Sequence, residues 1–161
     1  MDKESKDILA KGLLEGYVGK SIRGSVVRSG FNLETSDYQG SEGKYHDEWA
    51  ANFNGGGQEL TEAVNGEKAT RVYAGGTLTA DKLKELGLTK KDVIGRLISF
   101  VNEIGDGTRL DSDAEKTDGD WKYTYKVLKN VKEIPVDVGE EEIRFNDNLV
   151  FVHYHVISPI I

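Results

Sequence analysis

Leu149-Val150-Phe151-Val152-His153-Tyr154-His155-Val156-Ile157 is the most apolar window of this 161-residue chain. Its alternation reads as a β-strand, in which successive side chains face opposite sides. Val150, Val152, Tyr154 and Val156 then share one face, and Leu149, Phe151, His153, His155 and Ile157 share the other. A strand apolar on both faces is central in its sheet and covered on both sides. That expectation makes the fold a sheet with this strand at its heart.

Working outward, Asn146-Asp147-Asn148 turns into the strand and Ser158-Pro159 ends it. Residues 136–146 read as a second strand region broken by Gly139. Residues 121–131 alternate, with Trp121, Tyr123, Tyr125 and Val127 on one face and Lys122, Thr124 and Lys126 on the other. Earlier, residues 44–53 place Tyr45, Asp47, Trp49, Ala51 and Phe53 on one face. Asn54-Gly55-Gly56-Gly57 is a turn or bulge signal. Residues 58–64 and 69–74 form a hairpin around Asn65-Gly66, and a short strand is expected at 25–28.

Helices are expected at 5–17, capped by Ser5 with Asp7 in the first turn, and at 80–86, stopped by Gly87. A third follows Thr89, whose spacing to Asp92 makes a capping box. Val93, Ile94, Leu97, Ile98, Val101 and Ile104 are its apolar stripe. Residues 111–120 read as an acidic loop. The predicted fold is α+β, one domain over 1–161, a largely antiparallel sheet covered on one face by two main helices.

The chain also reads as two α-β-β-β halves, about 5–78 and 79–161, sharing one core. Tyr45-His46-Asp47-Glu48-Trp49, Gly57-Gln58-Glu59, Asn65-Gly66 and Tyr73 parallel Trp121-Lys122-Tyr123-Thr124-Tyr125, Gly139-Glu140-Glu141, Asn146-Asp147 and Tyr154. Turn asparagine and tyrosine are eight residues apart in both. Counted from those tyrosines, Val72 and Ala74 stand where His153 and His155 do.

Tyr45-His46-Asp47, Gly57-Gln58-Glu59, Tyr73-Ala74-Gly75, Gly119-Asp120-Trp121 and Gly139-Glu140-Glu141 together resemble the domain-of-unknown-function 5680 family. Its members are small bacterial domains often fused behind helix-turn-helix modules, with an aromatic-x-Asp strand, a Gly-Gln-Glu turn and a weaker second copy. The resemblance implies an architecture and a regulatory setting, not an activity. Two motifs depart from it: Ala69-Thr70-Arg71-Val72-Tyr73 replaces an aromatic-x-Met-x-Tyr run, and Tyr154-His155-Val156-Ile157 replaces Tyr-x-Gly-Gly. No helix-turn-helix module is expected in these residues.

A net charge of −7 disfavours binding to a phosphate backbone, so no nucleic-acid partner is expected. The absence of cysteine excludes disulfides and thiolate metal sites and fits a reducing compartment. No apolar run is long enough for a bilayer, and the polar N-terminus lacks a signal-peptide h-region. The expected location is the cytoplasm, as monomer or homodimer.

His153 and His155, at i and i+2, point the same way and with a third ligand would hold zinc. His46, Glu140, Glu141 or Glu142 would have to supply it, and spacing alone brings none of them near. The expected role is packing, with no metal and no cofactor. Asp47, Glu59 and Glu141 are either an acid–base set or acceptors for turn N–H groups, the latter being expected. Arg23 and Arg28 flank a segment that would close over an anion or lie solvated; Arg71 and Arg109 read as scattered. The stretch from Asp111 fails the calcium-loop pattern at Lys116 and Lys122, and Gly16–Ser21 fails the phosphate-loop pattern at Leu14.

Tyr45, Trp49, Phe53, Trp121, Tyr123 and Tyr125 are expected to wall a cleft between the halves. The expected function is non-enzymatic binding of a small ligand or protein partner through Asp47, Trp49, Glu59, Trp121, Tyr123, Glu141, His153 and His155. The alternatives are a metal-dependent or acid–base hydrolase using the His153/His155 face, and an oligomerising module.

Overall fold

The structure is a computed structural model that describes residues 1, 3–19 and 22–161, with Ile22 described by its backbone alone. Lys20 and Ser21, the end of the rejected phosphate-loop segment, lie outside the described residues. Helix α1 (Lys3–Lys11) continues into a π-helical turn (Gly12–Tyr17). The stretch expected as one α-helix over 5–17 thus widens at Gly12. The ring of Tyr45 lies where a Cβ of Gly12 would be, 2.3 Å from the nearest ring carbon.

Five strands follow: β1 (Ile22–Arg28), β2 (Phe31–Gly40), β3 (Gly43–Ala51), β4 (Asn54–Ala63) and β5 (Lys68–Thr77). Helices α2 (Ala80–Glu85) and α3 (Lys90–Ile104) come next, then a 3-10 turn (Gly105–Gly107). Four strands complete the chain: β6 (Ala114–Asp118), β7 (Trp121–Val131), β8 (Val136–Phe145) and β9 (Asn148–Ile160). All nine strands form one antiparallel sheet in the order β1-β2-β3-β4-β5-β9-β8-β7-β6. Both edges, β1 and β6, carry charged residues, which discourages edge-to-edge pairing. No helix among the described residues is long and apolar enough to cross a membrane.

The expected α+β class and the central place of β9 are observed, and the Thr89–Asp92 capping box forms in both directions. Several local expectations are corrected. Residues 22–40 hold two long strands joined at Ser29-Gly30, both with positive φ, which suits a two-residue hairpin turn. The acidic loop 111–120 contains β6, which pairs with β7. Asn54–Gly57 is not a turn but the start of β4. Gly139 does not break β8: the Tyr125 hydroxyl occupies the space of its side chain, 2.0 Å from a built Cβ.

The largest correction concerns β9. Its covered side carries Phe151, His153, His155 and Ile157. Tyr154 is 48% exposed and Val156 39% exposed on the other side. The strand is central but covered on one face only. Its valine face is therefore not the core, and the histidine face is. A one-residue irregularity near Val150 (Ile143 pairs with Phe151, Arg144 with Leu149) turns both Val150 and Phe151 inward. The two hairpins also differ. β4 and β5 are joined through Val64-Asn65-Gly66, and β8 and β9 through Asn146-Asp147 alone. Equal asparagine-to-tyrosine spacing thus aims Tyr73 inward and Tyr154 outward. A one-residue slip exchanges the faces of a strand.

Two apolar cores lie under the helices. Leu83, Val93, Leu97, Phe100 and Val101 pack on Tyr123, Tyr125, Ile143 and Phe151. Leu9 and Ala10 of α1 pack on Ala69, Leu110 and Ile157.

Gly139→Ala is expected to destabilise the fold by about 1–3 kcal/mol, because the Tyr125 ring it displaces is buried and its hydroxyl donates to the Leu110 carbonyl. Gly95→Ala, inside α3 with open space around it, is expected to stabilise by about 0.5–1 kcal/mol. Urea unfolding of both variants checks the pair.

Candidate functional site

Strand register sets the site. On the covered face, Asp47, Glu59 and Arg71 stand in one row across β3, β4 and β5. The next row runs Trp49, Gly57, Tyr73, His155 and Gly139 from β3 to β8, and beyond it Gly75, His153, Glu141 and Tyr125 run from β5 to β7. Polar side chains thus fill the valley between the two apolar cores.

They form two triads of the same composition. Glu59 accepts from both Arg71 Nε and Nη2, and from the Tyr45 hydroxyl at 2.8 Å. Glu141 accepts from Arg109 Nε and Nη2, each at 2.8 Å, and from the Tyr123 hydroxyl at 2.8 Å. Arg71 Nη1 donates to the Arg109 carbonyl at 2.9 Å and ties the triads together. Arg109 has φ +55, an unusual backbone state held by these contacts.

Asp47 is the buried carboxylate outside the triads. It accepts from the Tyr73 hydroxyl at 3.0 and 3.2 Å. Tyr73 in turn packs its ring on His153 and His155, with centroids 5.4 and 6.1 Å apart. Above Asp47 opens a cavity of about 160 Å³. Tyr17, Trp49, Phe53, Leu97 and Phe151 wall it. Asp47, Glu59, Tyr73, Arg109 and His153 reach its floor, and Lys90 stands over the Phe53 ring. Gly55, Gly56, Gly75 and Gly76 line it without side chains. Gly75 and Gly76 have φ of +144 and +152, which only glycine adopts readily.

Burial decides the ionisation. Asp47 is pushed up to about 8 by burial and by repulsion from Glu59. Burial would also raise Glu59 and Glu141, but Arg71 and Arg109 outweigh it and hold both carboxyls low. Burial lowers His153 to about 3 and also lowers His155, so both imidazoles are neutral.

Of the residues expected from sequence, Asp47, Trp49, Glu59 and His153 line the cavity. Glu141, His155 and Tyr123 lie buried beside it. Trp121 does not join them: it packs on Phe145 and Arg96. Of the expected aromatic walls only Trp49 and Phe53 serve, since Tyr45, Tyr123 and Tyr125 are buried in the network and core. Glu59 and Glu141, both in mid-strand, accept from arginine and tyrosine side chains, not from turn N–H groups. His46 lies elsewhere, against Asp37 and Glu48. Arg28 pairs with Glu48, and Arg23 donates to the Tyr17 carbonyl, so these arginines form no anion fork.

Sequence reading missed Arg71, Arg109, Tyr73 and Tyr17. Arg71 had a signal: it alternates in phase with Ala69 and Tyr73, which puts it on the core face. Arg109 had none, because it sits in an irregular segment.

No family model, curated protein or solved structure matches the chain.

Asp47 and His153 make stability depend on pH in opposite senses. From its ordinary value of 3.8 up to about 8, Asp47 keeps a proton in the folded chain that the unfolded chain has lost, so stability falls as pH rises. Below 6.5, down to about 3, unfolded His153 takes a proton that the folded chain refuses, so stability falls as pH falls. Between pH 6.5 and 8 the Asp47 effect acts without the opposing one of His153. His46, which against the effect of burial is held above its ordinary 6.5 by Asp37 and Glu48, acts in the same sense as Asp47. There the Asp47 part of the loss is expected to reach about 1.4 kcal/mol per pH unit, and Asp47→Asn is expected to remove that part and leave the smaller slope of His46. Urea midpoints measured across this range check both.

Proposed function

We propose that the chain is a small-molecule-binding domain whose ligand occupies the cavity above Asp47. The observation that carries this reading is the cavity itself, with aromatic and aliphatic walls and a few polar groups converging on its floor, the usual make-up of a ligand pocket. Its volume, about 160 Å³, is close to that of an apolar protein cavity that admits benzene. The ligand is then one ring or a short branched chain. It carries a single polar group that accepts a proton from Asp47 or bonds Tyr73 and His153. A regulatory setting is part of the same reading, supported by the resemblance to the domain-of-unknown-function 5680 family, and so is a cytoplasmic location, supported by the absence of cysteine. The same reading includes a duplicated α-β-β-β unit in which Glu59 and Glu141 correspond; their arginines do not, since Arg71 follows Glu59 on β5 and Arg109 precedes β6.

Acid–base catalysis on the same floor is a second reading. The observation that favours it is Asp47, raised to about 8, near the pH at which a general acid or base works best. Hydrolysis of activated esters that disappears in Asp47→Asn supports it; equal rates in the two proteins remove it.

A thermal-shift screen of single-ring phenols, amines and carboxylic acids is expected to find stabilising ligands. Ile94→Trp, which fills the cavity from α3, is expected to abolish the shift while the variant still folds. A screen with no stabilising compound, or hits retained in Ile94→Trp, would overturn the binding reading.

A further inference from the structure

Beneath the cavity floor the network contains an imbalance that the ligand reading does not use. His155 is 0% exposed, yet neither of its ring nitrogens has a hydrogen-bond partner among the described residues, and neither does His153 Nδ1. A buried polar atom without a partner costs about 1–3 kcal/mol, and three in one place call for an occupant. Two of the three, His155 Nε2 and His153 Nδ1, sit beside one carboxylate oxygen. Glu141 Oε2 lies 3.5 Å from His155 Nε2 and 3.9 Å from His153 Nδ1, close enough for charge interaction but without a hydrogen bond. One ligand atom from each residue falls within a 4.8 Å cluster.

We propose that Glu141, His153 and His155 form a binding site for a divalent transition cation of the zinc class, with one coordination position open towards the cavity. The donor set is two imidazoles and one carboxylate, which suits zinc and its transition-metal neighbours and not calcium or magnesium, which take oxygen ligands. Ligands held about 2.0 Å from a tetrahedral ion stand about 3.3 Å from one another. The two observed separations from Oε2 need to shrink by less than an ångström. Both imidazoles are already neutral, the form that ligates. Glu141 is fixed by Arg109 and Tyr123, the kind of outer support that orients a ligating carboxylate. Arg109 Nη2 uses one lone pair of Oε2, and an oxygen of a carboxylate has two.

Charge sets the terms. Arg109 and Arg71 repel a cation, but Glu141 and Glu59 balance them, while Asp47, which keeps its proton, adds no charge. His153, 15% exposed along its side chain, lines the cavity and supplies the entry path. Three protein ligands leave the open position that substrate- or water-binding zinc sites keep. His153 is shared with the ligand cavity, but the metal site does not depend on what that cavity binds.

The full chain, stripped with chelator, is to be titrated with Zn²⁺ and separately with Co²⁺. The expected result is one Zn²⁺ per chain by calorimetry and metal analysis. At a free concentration about a hundred times Kd, Tm rises by about 5–10 °C. Co²⁺ gives the visible absorption bands of a nitrogen- and oxygen-ligated ion. His153→Gln, at the partly open position, folds and loses at least about ten-fold in affinity. His155→Gln serves as a second variant. Should it fail to fold, ring-nitrogen NMR shifts of both histidines in the wild-type chain on Zn²⁺ addition replace it. Ile94→Trp, which fills the cavity on the entry path, slows metal uptake but leaves its stoichiometry unchanged. Substoichiometric Zn²⁺, unchanged affinity in His153→Gln, or unmoved histidine resonances would overturn the proposal.

Discussion

Two glutamate–arginine pairs, buried in the valley of the sheet, are the constraint on which the rest of the molecule depends. Glu59–Arg71 and Glu141–Arg109 take four charges out of water. Desolvation of that size is offset only by full hydrogen bonding. Each carboxylate accordingly accepts two arginine N–H groups and one tyrosine hydroxyl. Such pairs add little net stability over apolar side chains, but removal of a single partner strands a charge. What they supply here is position. Arg109 reaches Glu141 from outside the sheet, and Arg71 holds the Arg109 carbonyl, so the irregular segment after α3 is pinned over the strands.

That arrangement separates the two apolar cores and keeps the space between them polar and partly open. Helix α1 and the π-helical turn cover one side, and α2 and α3 the other. Four glycines leave the floor without side chains, so the cavity survives where a packed core would close it. Asp47 and the histidines feel the same environment with opposite results. Burial keeps Asp47 protonated and the imidazoles neutral, because in each case the charged form loses most on leaving water. The floor thus offers a proton donor and free imidazole nitrogens side by side.

The uncovered face of the sheet has a different character. Leu60, Val72, Tyr154 and Val156 are exposed there among charged residues. Their alternation with the buried face made β9 look apolar on both sides. Val72 and Val156 are cross-strand partners, so this surface is partly contiguous, and period-2 alternation does not reveal which side a helix will cover.

By itself the sequence determined the α+β class, the capping of α3, the helices flanking Gly87 and the central place of β9. These follow from local chemistry: periodicity, capping side chains and glycine at turns. It also marked Asp47, Glu59, Glu141, His153 and His155, because carboxylates and imidazoles in phase with aromatic residues stand out. Only the tertiary structure decided their partners. Register in each hairpin depends on one residue: a three-residue loop at Val64–Gly66, and a two-residue loop followed by the irregularity at Val150. One residue either way turns a strand over, and short turn motifs do not fix that count. Arg109 joins Glu141 across 32 positions from a segment with no periodicity. The convergence of the buried network is therefore a property of strand order and register, which no local pattern encodes.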